Sequence, residues 1–196
     1  MKLSALYKLC KRTKYVTIIN GVNGRQWINV DGGSTYPLDG MPYIDEETLL
    51  TMMDVAEDDR AKWHINIHAH DEYMRMFTED NLEGDIEAKA AEVTIGHMDE
   101  VYRPIYSRHG MLMVNVDAFA PVADTARTHE LFVRMIRNQP VLLVKNGFQL
   151  VATICRVKFS PDPVAQELQD IANHIVMDAA RTKDEENEHD GDQATL

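Results

Sequence analysis

The pattern of hydrophobic and polar positions along the chain predicts short helices and strands in alternation. Four apolar residues recur with helical spacing and predict one buried helix face over 3–13: Leu3, Leu6, Tyr7 and Cys10. Two β-branched runs, at 15–20 and 26–30, favour a pair of strands, because Asn-Gly turn signals separate them. A second helix is expected after Asp45, which has the position of an N-cap.

The same criteria predict the elements of the remaining chain. Alternating positions favour strands at 63–69, 73–77, 105–107 and 111–116. A third helix is expected from Asp124, with an inward face made of Leu131, Phe132, Met135 and Ile136. Residues 141–157 predict a hairpin with a type I′ turn at Asn146-Gly147. A last helix is expected to start at Ser160-Pro161-Asp162-Pro163, with Pro163 in its first turn. Short connections between strands favour an α+β fold, with a mostly antiparallel sheet and about four helices.

The order of the predicted elements is similar near the two ends of the chain, which leaves two domain organisations open. One is a single α+β domain over 1–182. The other consists of two similar helix-hairpin-helix halves, 1–78 and 101–182, joined by segment 79–100, which is expected to be loop-like apart from a short strand at 93–95.

The net negative charge of the chain is concentrated in two segments and is not spread along its length. The formal net charge is −12, and segments 79–100 and 183–196 carry −7 and −5 of it, so the rest of the chain is neutral. Segment 183–196 is also nearly free of apolar residues, and we expect it to be a disordered acidic tail. An acidic segment is usually a solvated surface, but it also has the charge needed to mimic DNA phosphates.

The neutral body contains two local basic runs, one within residues 2–14 and a weaker one within 127–137. Each is interpreted either as a solvated helix face or as a surface that contacts phosphates or an acidic protein. The candidate partner-binding residues from the basic runs and from the first acidic segment are Lys8, Lys11, Arg12, Arg134, Arg137, Glu83, Asp85 and Glu87.

Histidines form the most prominent candidate for chemistry. His64, His68 and His70 alternate on one predicted strand face, which is a ligand set that zinc accepts. Neighbouring same-face residues on a flat strand lie roughly 6.5–7 Å apart, so the three imidazoles do not converge without a bend. The alternative is a polar strand face towards solvent, and we expect no metal and no other cofactor.

Other signals favour a non-enzymatic protein inside the cell. The chain has no Gly-x-Ser-x-Gly and no phosphate-binding loop motif, and its two cysteines, Cys10 and Cys155, lie in apolar stretches typical of packed thiols. The longest apolar runs span only a few residues, and no secretory segment is evident, so we expect no membrane association and a cytoplasmic location.

One stretch carries a family resemblance. The positions concerned are Trp27, Tyr36-Pro37-Leu38, Gly40-Met41-Pro42, Asp45-Glu46, Leu49-Leu50 and Asp54. Over about a quarter of the chain, this pattern resembles uncharacterised phage and prophage proteins of Gram-positive gut bacteria. The resemblance implies a phage context, in which small non-enzymatic proteins often redirect or block host machinery, and it assigns no role to any residue.

Three hypotheses for function follow. The first is a phage accessory protein that binds a protein of host or phage nucleic-acid machinery, for instance inhibiting a defence nuclease in the manner of an anti-CRISPR protein. The second resembles a sliding clamp, a DNA-binding scaffold whose basic helices contact DNA, although the chain is short and no strands are predicted after the last helix. The third and weakest is a metal-dependent hydrolase that uses His64, His68 and His70. The oligomeric state stays open.

Overall fold

The computed structural model describes residues 1–21, 24–31, 33–69, 77, 80, 82–97, 99–108, 110–155 and 170. Nearly all of these belong to one compact unit, Met1–Val157, and Asp170 alone lies in a second unit, Lys158–Leu196. Four sequence predictions fall outside the described residues: most of the strand at 73–77, His70, the last helix and the acidic tail.

The described part of the chain is rich in strands. Its helical segments are α1 (Leu3–Thr13), α2 (Glu46–Met52), α3 (Glu57–Arg60) and one 3₁₀ helix, η1 (Val116–Thr128). The strands are β1 (Tyr15–Asn20), β2 (Gln26–Val30), β3 (Ser34–Pro37), β4 (His64–Ala69), β5 (Ile86–Ala90), β6 (Ile95–His97), β7 (Glu100–Ser107), β8 (Gly110–Asn115), β9 (His129–Ile136), β10 (Gln139–Asn146) and β11 (Gln149–Cys155).

The strands form one sheet with the order β4-β1-β2-β3-β11-β10-β9-β5-β7-β6. Strand β8 lies outside this order and pairs with β7. Every pairing is antiparallel except that of β1 with β4. The predicted α+β class with a mostly antiparallel sheet is therefore confirmed, with more strands than the sequence predicted. Among the described residues, no helix combines the length and the apolar character needed to cross a membrane.

The main core lies between the sheet, α1 and η1. Leu6 and Cys10 of α1 are buried in it, as the helical spacing predicted. The Tyr36 hydroxyl on β3 donates a hydrogen bond to the Ala118 carbonyl oxygen in η1 over 2.7 Å. Because this hydrogen bond is buried, it fixes η1 against the sheet.

The third predicted helix is wrong. The segment instead forms the end of η1 and strand β9, which pairs with β10 over its whole length. Leu131 and Val133 contribute to the main core, whereas Phe132 packs on a second cluster across the sheet. Apolar residues on both faces of a strand produce a dense hydrophobic pattern that resembles a helical one.

Two similar halves are not seen in the part of the chain that the structure describes. The helix expected from Asp124 in the second half is the end of η1 followed by strand β9, so the described residues show no helix-hairpin-helix duplication. Segment 79–100 is no linker either, because it contains β5 and β6, and β5 pairs with both β9 and β7 inside the sheet. Ile86 and Ala88 are buried there and alternate with the charged residues Glu87 and Lys89. The strand was not predicted because these charges make the segment polar overall.

Two hairpin turns differ from the expectation. The β10–β11 turn has Gly147 and Phe148 at its centre, between the paired residues Asn146 and Gln149. Only Gly147 has positive φ, +58°, which is typical of type II′ rather than the predicted type I′. The β9–β10 turn has positive φ at both central residues, Arg137 (47°) and Asn138 (62°), as type I′ requires.

Candidate functional site

The candidate surface is the basic face of α1, which consists of Lys8, Lys11 and Arg12. Residues three and four positions apart lie on the same side of a helix, so these three cations are neighbours. All three are exposed, and the opposite side of α1 carries the buried Leu6 and Cys10. The helix contains no acidic residue over its whole length.

A backbone contact holds the start of α1 against η1, and a left-handed residue ends the helix. The Lys2 N–H donates to the Pro121 carbonyl oxygen in η1 over 2.6 Å. At the other end, Lys14 adopts a left-handed conformation (φ 54°), and its N–H donates to the Cys10 carbonyl oxygen over 2.8 Å. Burial raises the pKa of the Cys10 thiol to about 12, so this cysteine is a packing residue and not a nucleophile at neutral pH.

The three cations differ in how they are compensated. The Arg12 guanidinium binds the Asp117 carboxylate over 2.6 Å, with the two side chains 45 % and 58 % exposed. Ion pairs this exposed contribute little stability, so another anion can displace Asp117 at small cost. Lys8 and Lys11 form no ion pair with any residue that the structure describes. The face therefore presents two uncompensated positive charges and one that is readily released.

The second basic run does not form a surface of this kind. Arg134 was expected on a helix face, but it lies on β9 and its side chain is 3 % exposed. It binds Asp85, which is equally buried, through two hydrogen bonds of 2.8 and 2.6 Å. Neither of these two predicted partner-binding residues is thus available to a partner. Arg137 is exposed, at the β9–β10 turn.

Part of the negative charge of the acidic segment is compensated by the same ion pair. Burial opposes ionisation of Asp85, but the hydrogen bonds from Arg134 and from the Leu82 N–H outweigh it and hold the pKa of its carboxyl below its ordinary value. Glu83 and Glu87 are exposed. Glu87 shares one face of β5 with Lys89, so an acid and a base are neighbours on that face.

The histidine strand does not assemble a metal site in the described residues. His64 and His68 lie on β4 with both side chains exposed, and four residue steps along an extended strand place them about 13 Å apart. Between them, Asn66 donates a hydrogen bond to the Tyr15 hydroxyl over 3.2 Å. No group of three or more His, Cys, Asp or Glu side chains within the described ranges is placed to hold a metal.

Two relationships at these sites had no signal in the sequence. Asp117, the partner of Arg12, is 105 residues away along the chain, and Asp85 is 49 residues from Arg134.

Comparison of the chain with protein-family models, with curated proteins and with solved structures gives no match.

Proposed function

We propose that this protein is a non-enzymatic phage accessory protein that acts on cytoplasmic nucleic-acid machinery, and that the basic face of α1 contacts nucleic-acid phosphates. The observation that carries the proposal is the pair of uncompensated lysines, Lys8 and Lys11, next to Arg12 on a helix without acids. Cations arranged in this way release counterions when they neutralise phosphates, which favours binding.

The net charge of the chain makes this contact local. A protein with a formal charge of −12 is repelled by a polyanion at long range, so only a short-range contact by the α1 face is attractive. Screening by salt weakens both effects. We therefore expect modest affinity by the isolated protein, with a partner of the nucleic-acid machinery supplying the remaining contacts.

This version of the function is better supported than DNA mimicry by segment 79–100. Mimicry requires a row of exposed acids, whereas Asp85 is neutralised by Arg134 and Glu87 lies next to Lys89 on β5. A defence nuclease remains a fitting target, provided that the contact is made through α1. The clamp-like alternative is weaker, because its expected duplication is not found in the described residues.

A direct binding measurement tests the proposal. Fluorescence anisotropy with a labelled 30-base-pair duplex, and with one of its strands, compares the wild type with a Lys8→Glu/Lys11→Glu variant at low salt. The matched control, Arg108→Glu/Arg137→Glu, changes the net charge equally at exposed turn residues outside α1. We expect the α1 variant to lose binding at least about tenfold and the control to lose much less. Equal losses, or no binding by the wild type, would contradict the proposal.

Co-purification identifies the wider machinery. The tagged wild type and the α1 variant serve as bait in a bacterial host extract, with and without nuclease treatment. We expect nucleic-acid enzymes among the proteins retained by the wild type and their loss with the variant. Retention of the same partners by both proteins would mean that α1 is not the contact surface.

A further inference from the structure

The outermost strands of the sheet differ in how accessible they are to another chain. Strand β6 has only three residues. Strand β8 is longer, but Leu112, Met113 and Val114 are at most 5 % exposed. Strand β4, at the other end of the strand order, has six residues, of which four are exposed, and its partner among the described strands is β1. Of these three strands, β4 alone combines length with exposure.

The main-chain groups on the outer edge of β4 are open. The His64 N–H donates to the Lys14 carbonyl oxygen over 2.8 Å, so it points towards β1. In a parallel pair every second residue bonds the same neighbour, and the even-numbered residues of β4 therefore face β1. The N–H and C=O groups of Ile65, Ile67 and Ala69 point the other way and form no hydrogen bond with any described residue. Such a row of unpaired groups is a template for a further strand.

This edge lacks the features that usually prevent pairing with another chain. Edge strands are commonly protected by a lysine, a proline or a bulge. Strand β4 contains no charged residue and no proline, and its pairing with β1 has no shift in register. The Ile67 side chain lies beside Ile18 of the main core but is 50 % exposed. The core therefore reaches this edge and is only half covered there.

We propose that β4 pairs with β4 of a second copy of this chain, antiparallel about a two-fold axis at Ile67, so that the sheet continues across a dimer. In this arrangement Ile67 lies opposite Ile67 of the partner subunit, and Ile65 lies opposite Ala69 of the partner subunit. These residues carry the outward main-chain groups, so each opposed pair exchanges two hydrogen bonds. The Cβ atoms of directly opposed residues are about 5.5 Å apart, so the two Ile67 side chains cover each other.

A second copy fits this edge because β4 is complementary to itself. A two-fold interface brings the same surface together twice, so like charges within it would repel each other. On the polar face of β4, Asn66 lies opposite His68 of the partner subunit, and these two polar groups can share a hydrogen bond. Two chains that each carry a formal charge of −12 associate most easily through such a neutral contact. A single strand pair buries less than the roughly 1,200 Å² of a standard interface, so we expect micromolar affinity.

Sedimentation velocity of the full chain, from about 1 to about 200 µM at neutral pH, tests this inference. We expect the wild type to shift from monomer towards dimer over this range, and salt to strengthen the dimer by screening the repulsion between two acidic chains. Ile67→Lys places like charges opposite each other and should weaken the dimer at least about tenfold. The control, Phe148→Lys, makes the same charge change at a residue that is 97 % exposed and should leave the dimer unchanged. A wild type that is monomeric throughout, or equal dimerisation of the two variants, would overturn the proposal.

A mixing experiment tests the two-fold pairing of β4 itself. Asn66→Lys/His68→Lys and Asn66→Glu/His68→Glu each place like charges opposite one another in a dimer of identical chains. Each variant alone should therefore stay monomeric at concentrations where the wild type dimerises. An equimolar mixture brings opposite charges together and should restore a dimer with one copy of each variant, which also shows that both are folded. Dimers of either variant alone, or a mixture of folded variants that stays monomeric, would overturn the proposed pairing.

Discussion

Arg134 and Asp85 are joined by two hydrogen bonds across the interior of the fold, and each side chain is only 3 % exposed. A third hydrogen bond runs from Arg134 to the Asp80 carbonyl oxygen, and Asp85 also accepts from the Leu82 N–H. The pair therefore attaches the loop before β5 to β9. Breaking such a pair leaves an uncompensated buried charge, which is far less favourable than losing a surface ion pair.

We expect Asp85→Asn to destabilise the protein by about 3–5 kcal/mol, because it leaves the Arg134 guanidinium without its anion. Urea denaturation at neutral pH measures this change. The control is Arg137→Ala, which removes an exposed arginine from the following turn and should change stability by about 0.5 kcal/mol or less. Equal effects of the two variants would show that the buried pair does not stabilise the fold.

The ion pair of Arg134 with Asp85 also predicts that the stability of the protein depends on pH. The pKa of Asp85 is lowered in the folded protein, so its contribution is fully present above the unfolded value of 3.8 and is lost as pH falls through the folded pKa. Urea titrations at several pH values measure the difference in stability between the wild type and Asp85→Asn. This difference should be constant from pH 7 to 5 and should shrink below about pH 4. A difference that does not vary with pH would contradict this assignment.

The different burial of the two cysteines predicts different rates of thiol labelling. Cys10 is fully buried with a pKa raised to about 12, whereas Cys155 is half-buried. At pH 8, iodoacetamide should modify native Cys155→Ser far more slowly than native Cys10→Ser, because only the thiolate reacts. Both variants should react at similar rates in urea. Fast labelling of Cys10 in the native state would mean that α1 opens readily.

The β10–β11 turn predicts an asymmetry between adjacent positions. Gly147 has φ +58°, so we expect Gly147→Ala to destabilise by about 1 kcal/mol through backbone strain. Phe148 is 97 % exposed, so Phe148→Ser should change stability by about 0.5 kcal/mol or less. Thermal unfolding of the two variants checks both values, and a larger loss for Phe148→Ser would show that this ring packs on the fold.

Local signals in the sequence predicted local structure well. The helical spacing of α1 is confirmed, and so is the Asp45 N-cap, whose carboxylate accepts a hydrogen bond from the Thr48 N–H over 2.8 Å. Both depend on residues within a few positions of each other. The β7–β8 hairpin was predicted for the same reason.

Contacts between residues far apart in the chain account for the structural features that the sequence did not predict. Leu131, Phe132, Met135 and Ile136 fit a helical pattern, but pairing with β10 makes the segment a strand. Arg134 and Asp85 are 49 residues apart, and the sequence does not indicate which of many acids meets that arginine.

The salt dependence of DNA binding tests most directly whether Lys8, Lys11 and Arg12 neutralise phosphates. If all three contact a duplex, the logarithm of the binding constant falls with the logarithm of salt concentration with a slope of about −2.7. The Lys8→Glu/Lys11→Glu variant should reduce that slope by about 2 units, and the Arg108→Glu/Arg137→Glu control should preserve it. A slope that is the same in all three proteins would contradict the account.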